Sequence, residues 1–276
     1  MPDRNQARDA FWEFERDGWH RAAPLYERSW NDTRLFVEPL LNAAAVGEGT
    51  RLLDVACGPG YVSEAAAARG ARPVGLDVAP GMLERARARS PGMQFVEGDA
   101  HALPFAGASF EAVTMNFGIL HLSRPDAAVA EGRRVLAPGG SYAFTAWVAE
   151  DNAQAEIVEA ALSEHALPVD VPEGPGFYRF ANPEVCRGAL EAAGFDPGSI
   201  RSETIRTHWR VPSAEFLFEA ELHAGVRMTA VLAAQPPERL AAIREAMVEG
   251  VRRYADGDAF ALPIVARVAS ARAPGP

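Results

Sequence analysis

Between residues 51 and 147, short apolar runs alternate with helical stripes. Leu52, Leu53 and Val55 form a run suited to a strand covered on both faces. Gly58 and Gly60 follow, and residues 61–69 carry Val62, Ala65 and Ala66 on one stripe, with Gly70 as a stop signal. The rhythm then repeats. Residues 73–77 read as a short strand ending in Asp77, and Pro80 opens a helix with Met82, Leu83 and Ala86 inward. Residues 94–99 and 109–116 read as strands, residues 125–136 as a helix, and residues 141–147 as a fifth strand after Ala137-Pro138-Gly139-Gly140.

The flanks follow other rhythms. Phe11 and Phe14 predict a short amphipathic helix within residues 1–24, and Leu35, Phe36, Leu40, Leu41 and Ala44 predict a helix over 30–45. Beyond Trp147, residues 185–194 read as a helix. Ile205, Thr207, Trp209 and Val211 alternate with Arg206, His208 and Arg210, as in a strand with one solvated face. Phe260, Leu262, Ile264, Ala266 and Val268 alternate likewise. Between them, Phe216, Leu217, Phe218 and Leu222 cluster, and Leu240, Ile243, Met247, Val251 and Tyr254 form a helical stripe. Both groups suit ordinary packing or a lid over a pocket.

Strand and helix alternating with short connections define an α/β chain with a doubly wound, parallel sheet. The expected organisation is one domain over residues 1–276. It has a helical cap at 1–45, a ligand-binding core at 46–150 and a lid insert at 212–256. Ligands of such sheets bind at the carboxyl ends of the strands, beside the switch point. Asp54, Asp77 and Asp99 all fall there, on successive strands, with the glycine turn among them.

Composition narrows the partners. The chain has 276 residues, 48% of them hydrophobic, enough for a sizeable core. A formal net charge of -10 disfavours nucleic acid. The two cysteines, Cys57 and Cys186, make no disulfide framework and suit a reducing compartment. Residues 1–17 hold no apolar signal core, no run approaches membrane-spanning length, and residues 271–276 look frayed. The expectation is a soluble, cytoplasmic protein that acts on a small molecule, without membrane or nucleic-acid partners. Whether it forms homo-oligomers stays open.

Two ligand classes fit a glycine turn followed by an acid at the end of the second strand. A dinucleotide wants a third glycine, but the run is Gly58-Pro59-Gly60-Tyr61-Val62-Ser63. Asp54 at the strand end would also repel a pyrophosphate. A cofactor with a positive charge and an amino group would welcome it.

At these residues the chain resembles the class I S-adenosylmethionine-dependent methyltransferases. Leu52-Leu53-Asp54-Val55-Ala56-Cys57-Gly58-Pro59-Gly60 is similar to their first motif, with Ala56 in place of a glycine. Asp77 matches the acid that holds the ribose hydroxyls, and Gly98-Asp99-Ala100 the segment whose acid binds the adenine amino group. Asn116-Phe117-Gly118-Ile119-Leu120-His121 is similar to the fourth motif, and Arg134 to Gly140 to the turn before the fifth strand. The resemblance is strong over about residues 20–150 and nearest to small-molecule enzymes of the ubiquinone- and menaquinone-biosynthesis type and of bacterial natural-product pathways.

It implies a Rossmann-like sheet with an antiparallel last strand. It implies S-adenosyl-L-methionine as cofactor and S-adenosyl-L-homocysteine as product. The implied cofactor residues are Asp54, Ala56, Gly58, Gly60, Asp77, Val78, Met82, Asp99, Ala100, Asn116 and Phe117. His121 is the first candidate for a general base, and Tyr26 the second. Neither the local spacing nor the resemblance decides whether these two act as bases or line the site. His208 reads as solvated, and His223 beside Glu219 and Glu221 matches no strong ligand spacing, so no metal is expected. The acceptor is expected to be apolar or aromatic, enclosed by Trp19, Tyr26, Phe216, Phe218 and Tyr254. The rivals are a nicotinamide-dependent oxidoreductase and a cofactor-binding protein without methyl transfer. A DNA amino-methyltransferase is disfavoured by Asn116-Phe117-Gly118 where an Asn/Asp-Pro-Pro run would stand.

Overall fold

The strands meet in the spatial order β3-β2-β1-β4-β5-β8-β6. Their ranges are β1 (Arg51–Val55), β2 (Arg72–Asp77), β3 (Gln94–Glu97), β4 (Phe110–Met115), β5 (Leu136–Trp147), β6 (Arg201–Val211) and β8 (Ala259–Arg272). A two-residue β7 (Ala255–Asp256) pairs with β8. The computed structural model describes residues 9–275. The first five strands run parallel, and β8 is antiparallel to both β5 and β6. The expected mixed sheet with an antiparallel last strand is therefore present.

The reversal of direction lies between β1 and β4, where the chain leaves the β1-β2-β3 side and crosses to the other. That is the switch point at which open α/β sheets bind ligands. Leu52, Leu53, Ala112, Val113, Ala143 and Phe144 are fully buried in the central strands, because helices cover both faces of the sheet.

The helices are α1 (Ala10–Ser29), α2 (Val37–Ala43), α3 (Tyr61–Ala68), α4 (Pro80–Arg89), α5 (Pro125–Val135), α6 (Ala153–His165), α7 (Pro183–Ala192), α8 (Phe216–Ala224), α9 (Arg227–Ala233) and α10 (Pro237–Arg252). The Asp9 side chain caps α1 by accepting from the Trp12 N–H at 2.8 Å. α1 continues to Ser29 with Pro24 inside it, beyond the expected end near residue 24. Residues 1–8 of the predicted N-terminal helix lie outside the described residues. The helix expected over 30–45 is instead a tight turn, Asp32–Phe36, followed by α2.

Other expectations change with tertiary context. β8 is inserted between β5 and β6, so both its faces are covered: Leu262, Ile264, Val265 and Ala266 are all buried. β6 takes the sheet edge and keeps Arg206, His208 and Arg210 exposed. Ala271 and Ala273 are buried rather than frayed, because Ala273 N–H donates to Gly140 O at 2.8 Å and ties the tail to β5. Pro276 lies outside the described residues.

Candidate active site

The first turn is held by Asp54 from beneath. Its Oδ2 accepts from Ser63 N–H at 3.1 Å and Ser63 Oγ at 2.7 Å, which satisfies an open donor in the first turn of α3. Thr114 Oγ1 stands 3.5 Å from Oδ1. Asp54 is fully buried, and burial pushes its carboxyl up to about 7. It borders only a narrow annex of about 30 Å³, shared with Gly58, Tyr61 and Asn116, and not the main cavity. Its work is thus to hold the turn rather than to face a ligand broadly. Gly60 starts α3 at φ 86°, and a Cβ there would stand 3.2 Å from the Phe95 ring. It too is absent from the main cavity wall.

The other expected cofactor residues converge. Ala56, Gly58, Asp77, Val78, Met82, Asp99, Ala100, Asn116 and Phe117 line one cavity of about 970 Å³ at the carboxyl ends of β1–β4. Gly58 has φ 53°, and a Cβ there would meet nothing within 4 Å, so its bare face is open. Asp77 Oδ2 accepts from Gly58 N–H at 2.8 Å, and Oδ1 from Ala79 N–H at 2.9 Å. These bonds fix the carboxylate at the cavity edge and leave each oxygen a further lone pair. Burial raises the Asp77 carboxyl against these donors.

Asp99 Oδ1 lies 2.7 Å from His101 Nδ1 and accepts from His101 N–H, and the net effect is a lowered carboxyl pKa despite the burial that opposes it. On β4's far end, Thr145 Oγ1 donates to Asn116 Oδ1 and accepts from Phe117 N–H, at 2.8 and 2.7 Å. Phe117 sits at φ 55° and stacks on Trp147 at a centroid distance of 4.0 Å.

His121 ends a short turn, Ile119–His121, and lines the same cavity. Its Nδ1 is 3.0 Å from Glu15 Oε2 on α1. Glu15 is 3% exposed, and its Oε1 accepts from Arg227 Nε at 2.7 Å. Burial would raise the Glu15 carboxyl, but His121 and Arg227 together hold it below its usual range. With Nδ1–H donated to this carboxylate, the assigned tautomer leaves Nε2 as a proton acceptor. Trp19 packs edge-on against the imidazole at 4.8 Å. Tyr26 also lines the cavity, but burial pushes its hydroxyl well above the ordinary range. The half-buried phenol is a wall of the cavity and a hydrogen-bonding group.

The acceptor enclosure differs from the expected one. Trp19 and Tyr26 line it, whereas Phe216, Phe218 and Tyr254 do not. Phe218 is buried in the core, and Phe216 packs edge-on against Trp209 at 5.7 Å. The outer wall comes instead from α6, residues 166–169, Phe177 and Tyr178, and the stretch from Glu221 to Val231. Glu221 of that wall was read only as a neighbour of His223, and Asp32, in the turn after α1, was not read as a cavity residue. Glu221 falls three and four residues after Phe218 and Leu217, on the buried stripe of α8, and that spacing was the available signal. His223 pairs with Glu219 at 3.4 Å on the exposed side, away from Glu221. Among the described residues, no group of His, Cys, Asp and Glu has the arrangement to hold a metal.

Residues 53–144 match the family model described as a methyltransferase domain. With the sheet order above, this stretch is similar to a methyltransferase domain and lies on a mostly parallel, Rossmann-like sheet. The chain is 44% identical over 123 residues to a demethylmenaquinone methyltransferase of Renibacterium salmoninarum, covering 43% of this chain and 52% of that one. It is 37% identical over 125 residues to a malonyl-[acyl-carrier protein] O-methyltransferase of Erwinia pyrifoliae, covering 45% and 48%. The chain thus spans about half the length of the curated relatives it matches. Among solved structures, it resembles phosphoethanolamine N-methyltransferase 2 of Haemonchus contortus bound to S-adenosylhomocysteine, with TM-score 0.57 and 18% identity over 97% of this chain and 61% of that one. It also resembles the [4+2]-cyclase SpnF, with TM-score 0.53 and 23% identity over 88% and 81%. These last two likenesses concern the fold alone.

Proposed function

We propose that this protein transfers a methyl group from S-adenosylmethionine to a small, mainly apolar molecule held in the cavity at the carboxyl edge of the sheet. The observation that carries this reading is the cavity itself. Its volume of about 970 Å³ stands at the upper end of ordinary ligand sites, about 300–1,000 Å³, so one space can hold a cofactor and an acceptor together. The residues fit the cofactor. Asp77 presents free lone pairs beside a glycine whose open face lets a ligand approach, and Asp99 stands ready for a donor further along.

In this reading Asp77 accepts from the ribose hydroxyls, Asp99 from the adenine amino group, and Asn116 and Phe117 line the methionine side. Trp19 and Tyr26 close over them and exclude water. S-adenosylmethionine, when bound, supplies a methyl group already activated on a sulfonium. Positioning of the acceptor then does most of the work. His121 Nε2 takes the proton of an acceptor hydroxyl or acidic carbon, and Glu15 stabilises the imidazolium that results. The reading includes a cytoplasmic place in bacterial secondary metabolism, where bulky apolar acceptors are common. The two free, buried cysteines and the net charge of -10 support a small-molecule role in a reducing compartment. Among the described residues no helix is long and apolar enough to cross a membrane.

Calorimetry with S-adenosylhomocysteine and with nicotinamide dinucleotides tests the reading. Micromolar-range binding of the first alone is expected, and Asp77→Asn should weaken it by about 2–3 kcal/mol. Asn keeps one acceptor, for Gly58 N–H, but turns its NH2 toward Ala79 N–H, so a modestly lower melting temperature with the fold retained is expected. Dinucleotide binding without S-adenosylhomocysteine binding overturns the reading in favour of an oxidoreductase. Tight cofactor binding with no transfer to any acceptor would favour the non-transferring alternative.

A further inference from the structure

The cavity wall is largely apolar, yet two buried carboxylates line it without an ion pair among the described residues. Asp32 is fully buried, and its Oδ2 has no hydrogen-bond partner. Its other oxygen accepts from Thr33 N–H at 2.9 Å. Glu221 is 8% exposed, and its Oε1 accepts from Gln154 Nε2 at a long 3.3 Å. Both line the cavity. Glu221 lies within electrostatic reach of Asp32 and of Tyr178.

Glu159, also on this wall, is exposed to solvent, and three further carboxylates there have partners of a kind that these two lack. Glu15 has His121 and Arg227, Asp77 has two backbone N–H groups, and Asp99 has His101. The nearby cation, Arg227, is already committed to Glu15 and to Leu120 O. Among the described residues, neither Asp32 nor Glu221 forms an ion pair. A buried carboxylate without a partner is costly, and two within reach of each other are more so. Trp30, Trp147 and Tyr178 supply aromatic surface around them. Carboxylates set among aromatic faces are the chemistry that recognises an ammonium group.

We propose that Asp32 and Glu221 form an ammonium-recognition subsite, so that the acceptor is an apolar molecule carrying a protonated amine. This deepens the methyltransferase reading and rests on it for the word acceptor. The ammonium is a binding handle: no bond to it forms or breaks. Its arrival supplies the charge that the two carboxylates lack and fixes the apolar body of the molecule against the aromatic wall.

The test is calorimetry with phenethylamine, phenethyl alcohol and phenylacetate, each with and without saturating S-adenosylhomocysteine. The amine should bind at least about tenfold more tightly than the alcohol, and phenylacetate weakest of all. In Glu221→Gln and Asp32→Asn, which keep shape and hydrogen-bond acceptors, the preference should fall to about twofold. Thermal melts confirm that both variants are folded, and the three ligands on the unaltered protein decide the matter even if one is not. Equal binding of amine and alcohol, no binding of any of the three, or tightest binding of phenylacetate overturns the proposal. So does a pair of variants that lose S-adenosylhomocysteine and keep the amine preference, since the carboxylates would then serve the cofactor. An amine preference without any S-adenosylhomocysteine binding would leave the subsite standing and overturn the methyltransferase reading instead.

Discussion

His121 owes its orientation to Glu15, 106 positions away in the chain. The carboxylate accepts the hydrogen bond from Nδ1–H and is itself held by Arg227. His121→Ala should therefore cut turnover by about two to four orders of magnitude while S-adenosylhomocysteine affinity changes little. A small loss that raised pH leaves unchanged would mean an acceptor already nucleophilic, with His121 only lining the site. Collapse of cofactor affinity would make His121 a structural part of its turn. Most of the residues expected to hold a cofactor converge on one cavity, and they were legible as a group because they sit in short runs beside glycines, where backbone and chemistry are read together. Asp54 was legible as a special residue, but its partner Ser63 makes it a brace for α3. Asp32 and Glu221 were not read as cavity residues, because that meaning comes from α6, α8 and the turn after α1 meeting in space. Glu15 shared that fate: it looked like one more charge in a charged segment.

At the scale of elements, α1 depends on close approach. A Cβ on Gly18 would stand 2.3 Å from Val226 Cγ1, and one on Gly81 would stand 2.7 Å from His20 O. α1 is thus pressed against α4 on one side and the start of α9 on the other. Gly18→Val recovers only a few tenths of a kcal/mol of helix propensity, roughly, while overpacking costs about 1–3 kcal/mol, so the loss wins. The expected outcome is a lower melting temperature together with weaker S-adenosylhomocysteine binding. An unchanged melting temperature would show that α1 can shift freely. The strands of the core were legible because runs such as Leu52-Leu53 and Ala112-Val113 are covered on both faces. α6 was missed because Ala153, Ala155, Ala160 and Ala161 give a faint contrast between its faces. The interior position of β8 was not legible either, since alternation reads the same whether a neighbour or solvent lies beyond the edge.

Across the whole molecule, Asp32, Asp54 and Glu221 are buried carboxyls pushed up to about 7 by desolvation. Between about pH 4 and pH 7 the folded chain keeps protons that the unfolded chain releases, so their contribution to stability falls as pH rises through that window. Glu15, Glu27 and Asp99 are lowered in the folded state, and their contribution is lost at the acid end instead. Glu221→Gln removes one group of the first kind. Its stability relative to the unaltered protein should improve by on the order of 2 kcal/mol as pH rises from about 5 to 8, read from paired melting curves. A difference that stays flat with pH would mean that Glu221 titrates as an exposed carboxyl does. One feature of the architecture sets the tempo of such a protein. Trp19 and Tyr26 of α1 stand over the cofactor end, and Glu15 of the same helix anchors Arg227 at the acceptor end. Both compartments therefore share one door. On the proposed reading, exchange of a spent cofactor would loosen the chamber that grips the second molecule. On that reading turnover would be paced by how often α1 lifts, and a bulky occupant on one side would prolong the residence of whatever lies on the other.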